Sequence, residues 1–165
     1  MNQTEGHGSS PEAAEDPRAS LVNQAARLLQ DSQLDAAQEL LAQALQRFPR
    51  YARAHQLQAN LAGRRGHWRT SLEHWRIFLK LKPAHLAGYV SALACAAQLD
   101  NSLAAEEVAA MAPGEVAARV DFQMRVRLPV LRLRQQVDAA RTLIGALDEA
   151  TLDAAGSVEA AVTQC

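Results

Sequence analysis

The sequence predicts an all-α fold made of repeated helix pairs, and three observations point there. The 165-residue chain is 48% hydrophobic but only 4% aromatic, and alanine fills the gap at 34 positions. Glycine (8) and proline (6) are scarce. Small apolar side chains with few breakers suit close-packed helices, whereas a sandwich or barrel would need turn-bounded runs of Val, Thr and aromatics. The third observation is a period. Pro49 and Pro83 stand 34 residues apart. The segments before them, DSQLDAAQELLAQALQRFP and RGHWRTSLEHWRIFLKLKP, align with Leu34 over Trp68, Ala37 over Ser71, Leu41 over Trp75 and Ala44 over Phe78. A small residue recurs at Ala37, Ser71, Ala105 and Ala140, at spacings of 34, 34 and 35. Such a residue at each helix crossing lets two helices approach, and large apolar neighbours at i, i+3, i+4 and i+7 fill the space around it.

Taken in order, residues 1–17 are polar and acidic without apolar periodicity, and are expected to form a disordered head. Three helix pairs follow over 18–112, at about 18–31 and 34–48, 52–65 and 68–81, and 85–98 and 101–112. Asp31-Ser32 and Gly66 supply the turns inside the first two pairs. Pro49 and Pro83 end the second helices because proline cannot continue the hydrogen-bond ladder, and Pro113-Gly114 ends the third pair early. A degenerate fourth pair, acting as a cap, is expected over 113–149, with helices near 115–134 and 135–149. Pro129 should kink or split the first of these. Residues 150–165 form an alanine-rich tail.

The period of 34 and the stretch RGHWRTSL at 65–72, continued to Pro83, resemble the second-helix pattern of the tetratricopeptide repeat family. The resemblance is strong over 18–83, good over 84–112 and weak over 115–149. The family's first-helix Trp/Leu-Gly-Tyr residues are replaced by Gln24-Ala25 and Leu28 in the first repeat, and by Gln58-Ala59 and Ala62 in the second. The resemblance implies a right-handed superhelix of antiparallel helix pairs whose first helices line a concave groove. It further implies a scaffold or adaptor that binds a peptide or partner helix there, with no catalytic residue and no cofactor.

On that resemblance the groove face of the second repeat carries Arg53, Gln56, Asn60 and Arg64, whose i, i+3, i+7, i+11 spacing keeps them on one side of a helix. Matching positions are Ala19, Val22, Ala26 and Gln30 in the first repeat, and Ala87, Val90, Ala94 and Gln98 in the third. Val22, Gln30 and Val90 are expected to complete a shallow apolar groove with a polar, cationic ridge. Asn60 offers a donor and an acceptor to a peptide backbone, and Arg53 and Arg64 can fork onto carboxylates, so the partner should be acidic. The plainer alternative is that these four side chains form only the solvent side of an amphipathic helix. The Lys, Asn and Arg clamp of chaperone-tail-binding members has Val22, Ala26, Ala87 and Ser91 in its place, so a chaperone C-terminus is not the expected ligand.

Other chemistries find little support. Residues 50–85 carry eight Arg and Lys against Glu73 alone, and with Tyr51, Trp68 and Trp75 nearby they raise nucleic-acid binding as an alternative. Against it, Trp75 and Phe78 are needed in the repeat core, and the chain carries a net charge of −1. His67 and His74 lie seven apart and could share a helix face as a surface metal site, but no HExxH or Cys–His spacing exists, and no metal is expected. Cys95, inside LACAA, reads as a buried filler rather than a nucleophile. Glu106-Glu107 and Asp148-Glu149 read as solvated helix surface. No phosphate loop or nucleophile elbow is present, so no enzyme is expected. A further alternative is a docking repeat region belonging to a glycosyltransferase or sulfotransferase of bacterial type. Two cysteines, a polar N-terminus and a longest apolar-biased run of only 86–97 together suggest a soluble cytoplasmic protein.

Overall fold

The computed structural model describes residues 16–134, 142 and 144–148, and the regular structure among them is helical, with no strand. The chain divides into two compact units, one ending at Tyr51 and the other beginning at Ala52.

The first unit pairs α1 (Pro17–Gln30) with α2 (Leu34–Arg47). Asp16 caps α1, its Oδ1 accepting the Arg18 backbone N–H at 3.0 Å, and Pro17 takes the first turn, where no N–H is required. Arg18 Nε closes back on the same carboxylate at 2.9 Å, which holds Asp16 below the ordinary carboxylate range. The buried stripes are Val22, Ala25 and Leu29 on α1, and Ala37, Leu41 and Ala44 on α2.

The second unit runs through α3 (Ala52–Arg64), α4 (Trp68–Leu81), α5 (Leu86–Gln98), α6 (Ser102–Ala110), α7 (Gly114–Ala117), α8 (Val120–Phe122), a π-helical turn (Gln123–Arg127) and α9 (Leu128–Leu133). Each of α3 to α6 packs on the next, and α9 returns onto α6. The core is one cluster from Ala59 through Trp75, Phe78, Tyr89 and Val108 to Phe122 and Val130. Its aromatics meet edge to face, Trp75 on Phe78 at 5.5 Å and Tyr89 on Phe122 at 5.2 Å. At Gly88 there is no room for a side chain: an added Cβ would stand 3.0 Å from both Leu79 and Phe78.

The period of 34 reappears in the backbone. Ser32, Gly66 and Asp100 all adopt left-handed conformations, with φ of 59°, 74° and 48°. One residue beyond each, the N–H of Gln33, His67 and Asn101 reaches back to the carbonyls of Leu28, Ala62 and Ala96 at 2.8, 2.9 and 3.0 Å. This closure satisfies the last carbonyls of a helix and reverses the chain within three residues. The small residues also take the expected places: Ala37 and Ala105 have no exposed surface and Ser71 is 1% exposed. The Ser71 hydroxyl donates to the Ala59 carbonyl at 2.8 Å, so the one polar member of the series carries its own partner.

The segment expected as one helix over 115–134 departs from that reading. It breaks at Ala118-Arg119, well before Pro129, and then winds one π turn in which the Leu128 N–H bonds the Gln123 carbonyl. Pro129 therefore falls in the first turn of α9. The physical reason is that proline has no N–H and its ring clashes with the carbonyl four residues back, and a wider turn before it relieves both problems. The expectations for residues 1–15, for Ala140 and for the tail lie outside the described residues.

Two substitutions test this packing. Trp75→Ala should leave a cavity and cost about 3–5 kcal/mol. Ala37→Leu should overpack its helix crossing and cost about 1–3 kcal/mol. Denaturant midpoints measured against the parent chain give both values, and unchanged midpoints would contradict the buried placements.

Candidate partner-binding site

The exposed side of α3 is set by its buried side. Ala54, His55, Leu57, Ala59, Leu61 and Ala62 turn inward, which leaves Arg53, Asn60 and Arg64 exposed and Gln56 half-exposed. The Arg53 Nη1 donates to Gln56 Oε1 at 2.7 Å, a bond one turn long that fixes the guanidinium along the helix. The four residues named from the spacing thus share one side of α3.

In the same unit, the matching side of α5 presents Ala87, Ala94 and Gln98 as exposed residues and Val90 as half-buried. In the first unit Gln30 is exposed and Ala19 and Ala26 are half-buried. Val22 differs. It has no exposed surface and belongs to the buried stripe of α1. The sequence register placed it on the partner face, but its branched apolar side chain is taken up by packing, so no partner touches it in this conformation.

Several charged residues form ion pairs. Glu107 accepts an ion pair from Arg76, and Glu106 one from Arg134, so the two carboxylates expected as plain solvated surface each tie α6 to another segment. Arg119 pairs with Asp121 at 2.7 Å. At such exposure each pair adds little to stability. Trp75 and Phe78 are 4% and 3% exposed, which removes them as stacking platforms for nucleotide bases.

Three of the histidines hold structural places. His85 caps α5, its Nδ1 accepting the Gly88 N–H at 3.1 Å, and its ring stands edge-on to Phe78 at 4.9 Å. His74 faces His55 of α3, not His67, and their Nδ1 atoms are 3.1 Å apart. No spacing motif marks this pair, since the two residues lie on different helices. The signal available was the repeat register: His55 aligns with Leu21 and Tyr89, and His74 with Leu40 and Val108, all apolar. Among the described residues no group of three or more His, Cys, Asp or Glu is placed to hold a metal ion.

Cys95 is 4% exposed and its thiol donates to the Ser71 hydroxyl at 3.2 Å. Burial pushes the thiol above its ordinary value, and the bond to Ser71 offsets this only in part. A raised thiol is mostly protonated at neutral pH and a poor nucleophile.

Helix pairs of this length, joined by left-handed turns every 34 residues, match a solved structure. A tetratricopeptide repeat protein from Parabacteroides merdae superposes with a TM-score of 0.66 over 84% of this chain, at 17% sequence identity. The fold is a tetratricopeptide-type helical repeat. This chain spans about half of that relative, covering 54% of its length. No family model matches the sequence, and no curated protein matches it. Among the described residues no helix of this tetratricopeptide-type fold is long and apolar enough to cross a membrane.

The thiol makes a testable case. Alkylation mapped to Cys95 by mass spectrometry should be slow in the folded protein at neutral pH and become fast only in denaturant. Equal rates in both states would show that the site is open.

Proposed function

We propose that the chain is a non-catalytic protein-interaction module, and that an acidic peptide or partner helix docks along the exposed face of α3. What carries this reading is the shared surface of Arg53, Gln56, Asn60 and Arg64, with Arg53 oriented by its bond to Gln56. Guanidinium groups bind carboxylates through two parallel N–H donors, and an amide side chain pairs with a peptide unit through both its oxygen and its nitrogen. The first helix of the next pair, α5, adds small side chains, Ala87 and Ala94 with half-buried Val90, which suits a partner whose acidic residues alternate with small apolar ones.

Support also comes from the local charge. Residues 50–85 hold Glu73 as their single acidic residue, so the field around α3 attracts an anionic partner. In tetratricopeptide repeats the first helix of each pair lines the ligand groove, and α3 is the first helix of its pair. The natural location of such an adaptor is the cytoplasm, where its two cysteines stay reduced.

Charge reversal provides the test. Arg53→Glu with Arg64→Glu should weaken binding of a fluorescent Glu- and Ala-rich peptide by at least roughly tenfold, because like charges facing each other cost several kcal/mol. The melting temperature should hold, since both side chains are exposed. Arg→Ala changes at the same sites should act more gently and fade with salt. Arg69→Glu with Lys80→Glu, on α4, is the control that leaves the Arg76–Glu107 pair intact. Loss of binding in the control, with retention in the α3 variant, would move the site to the α4 face.

A further inference from the structure

The contact between His55 and His74 joins the two helices of the second repeat at positions where the other repeats carry Leu, Tyr or Val. His55 is 6% exposed and His74 is half-buried. Two polar rings thus meet in positions that are apolar elsewhere. A neutral imidazole has one N–H and one lone pair, so a contact between two Nδ1 atoms at 3.1 Å requires one ring to donate from Nδ1 and the other to accept there. The ring centroids are 5.3 Å apart, which exceeds the nitrogen separation by about two ring radii. The two lone-pair axes are therefore close to collinear. A proton fits between nitrogens 3.1 Å apart on such a line, whereas a metal ion on it would need them about 4 Å apart, two bonds of about 2.0–2.1 Å each.

We propose that His55 and His74 form a proton-sensitive latch between α3 and α4, which holds while at least one of the two imidazoles is neutral and opens when both are charged. A singly charged pair keeps its bond, because the charged ring donates to the remaining lone pair. A doubly charged pair sets N–H against N–H and places two like charges in a half-buried site, where they repel strongly.

Within α3, α4 and α5 a single carboxylate stands against that repulsion. Glu73, beside His74, is the only carboxylate on α3, α4 and α5. On α3, Arg53 is engaged by Gln56 and Arg64 is exposed at the helix end. On α4, Arg69 and Lys80 are exposed, and Arg76 pairs with Glu107. The only ionisable groups of α5 are turned elsewhere: the Tyr89 hydroxyl donates to the Pro83 carbonyl and the Cys95 thiol to Ser71. Burial, helped by His55, holds His74 below its ordinary value, with Glu73 acting weakly the other way. The sign follows. Between the unfolded value of 6.5 and the lower folded one, the unfolded chain binds the extra proton, so stability is full above 6.5 and falls as the pH drops below it.

The test uses the full chain and His74→Leu, which installs the residue that the first repeat carries at Leu40. Denaturant midpoints of both are followed from about pH 8 down to pH 5, across the range in which an ordinary histidine titrates. The parent chain should lose stability relative to the variant below 6.5, by up to about tenfold in the folding constant per pH unit for each proton withheld. Imidazole nitrogen shifts of the parent at about pH 8, well above the ordinary histidine value, should show one of the two rings as the Nδ1–H tautomer and the other as Nε2–H. Parallel pH profiles of parent and variant would overturn the latch, as would two Nε2–H rings titrating independently. If His74→Leu does not fold, His74→Gln and the tautomer measurement on the parent chain decide the matter alone.

Discussion

Close approach of two helices at one small side chain is the constraint on which the rest of this structure depends. At Ala37, Ser71 and Ala105 the side chain is reduced to a methyl or a hydroxymethyl, and each is almost wholly buried. Helices that approach this closely bury their flanking large residues as well: Leu41 in the first pair, Leu72, Trp75 and Phe78 in the second. Protein interiors are packed to crystal-like density, so this arrangement has no slack into which a larger side chain could move. Ser71 shows the cost of departing from alanine. Its hydroxyl needs an acceptor, finds the Ala59 carbonyl, and then serves as acceptor for the Cys95 thiol, so one polar atom ties three helices together.

The left-handed turns at Ser32, Gly66 and Asp100 complement these crossings. Only glycine adopts such a conformation without steric penalty, and Ser and Asp take it here because the chain must reverse within three residues for the next helix to reach its crossing. Reversal at a fixed interval also determines which residues remain on the surface. On α3 the inward stripe absorbs the apolar side chains and leaves Arg53, Asn60 and Arg64 together on the other side. The surface we assign to a partner is therefore a by-product of how the core is filled.

The uneven distribution of charge along the chain has a structural counterpart. The acidic residues of α6 meet basic residues from elsewhere: Glu107 pairs with Arg76, and Glu106 with Arg134. The basic excess of residues 50–85 is only partly offset this way, because Glu107 neutralises one arginine while Arg53, Arg69 and Lys80 stay on the surface. Pairs as exposed as these set register more than they add stability.

How much of this was legible in the sequence follows the range of each interaction. The helices of the first three pairs, the turns inside the first two and the buried small residues Ala37, Ser71 and Ala105 could be read, because a helix stripe and a turn residue are local and the period of 34 repeats them. The ridge on α3 could be read for the same reason: its four residues share one helix, whose buried side was visible as Leu57, Leu61 and their alanine neighbours. Val22 was assigned to the wrong side because its repeat-mates on α3 and α5 tolerate exposure and an isolated valine does not reveal its environment. The sequence put the interruption at Pro129, but proline is tolerated in the first turn of α9, and the π turn just before it conserves helical character and leaves no mark on apolar spacing. The contact between His55 and His74, the pairing of Glu106 and Glu107, and the cap made by His85 all join atoms whose proximity is created by packing. Amino-acid order determined the period, the helices and their inward stripes, since these follow from the shape of single side chains along one backbone. Tertiary structure alone decided which polar groups meet, since that depends on how far apart two packed helices come to rest.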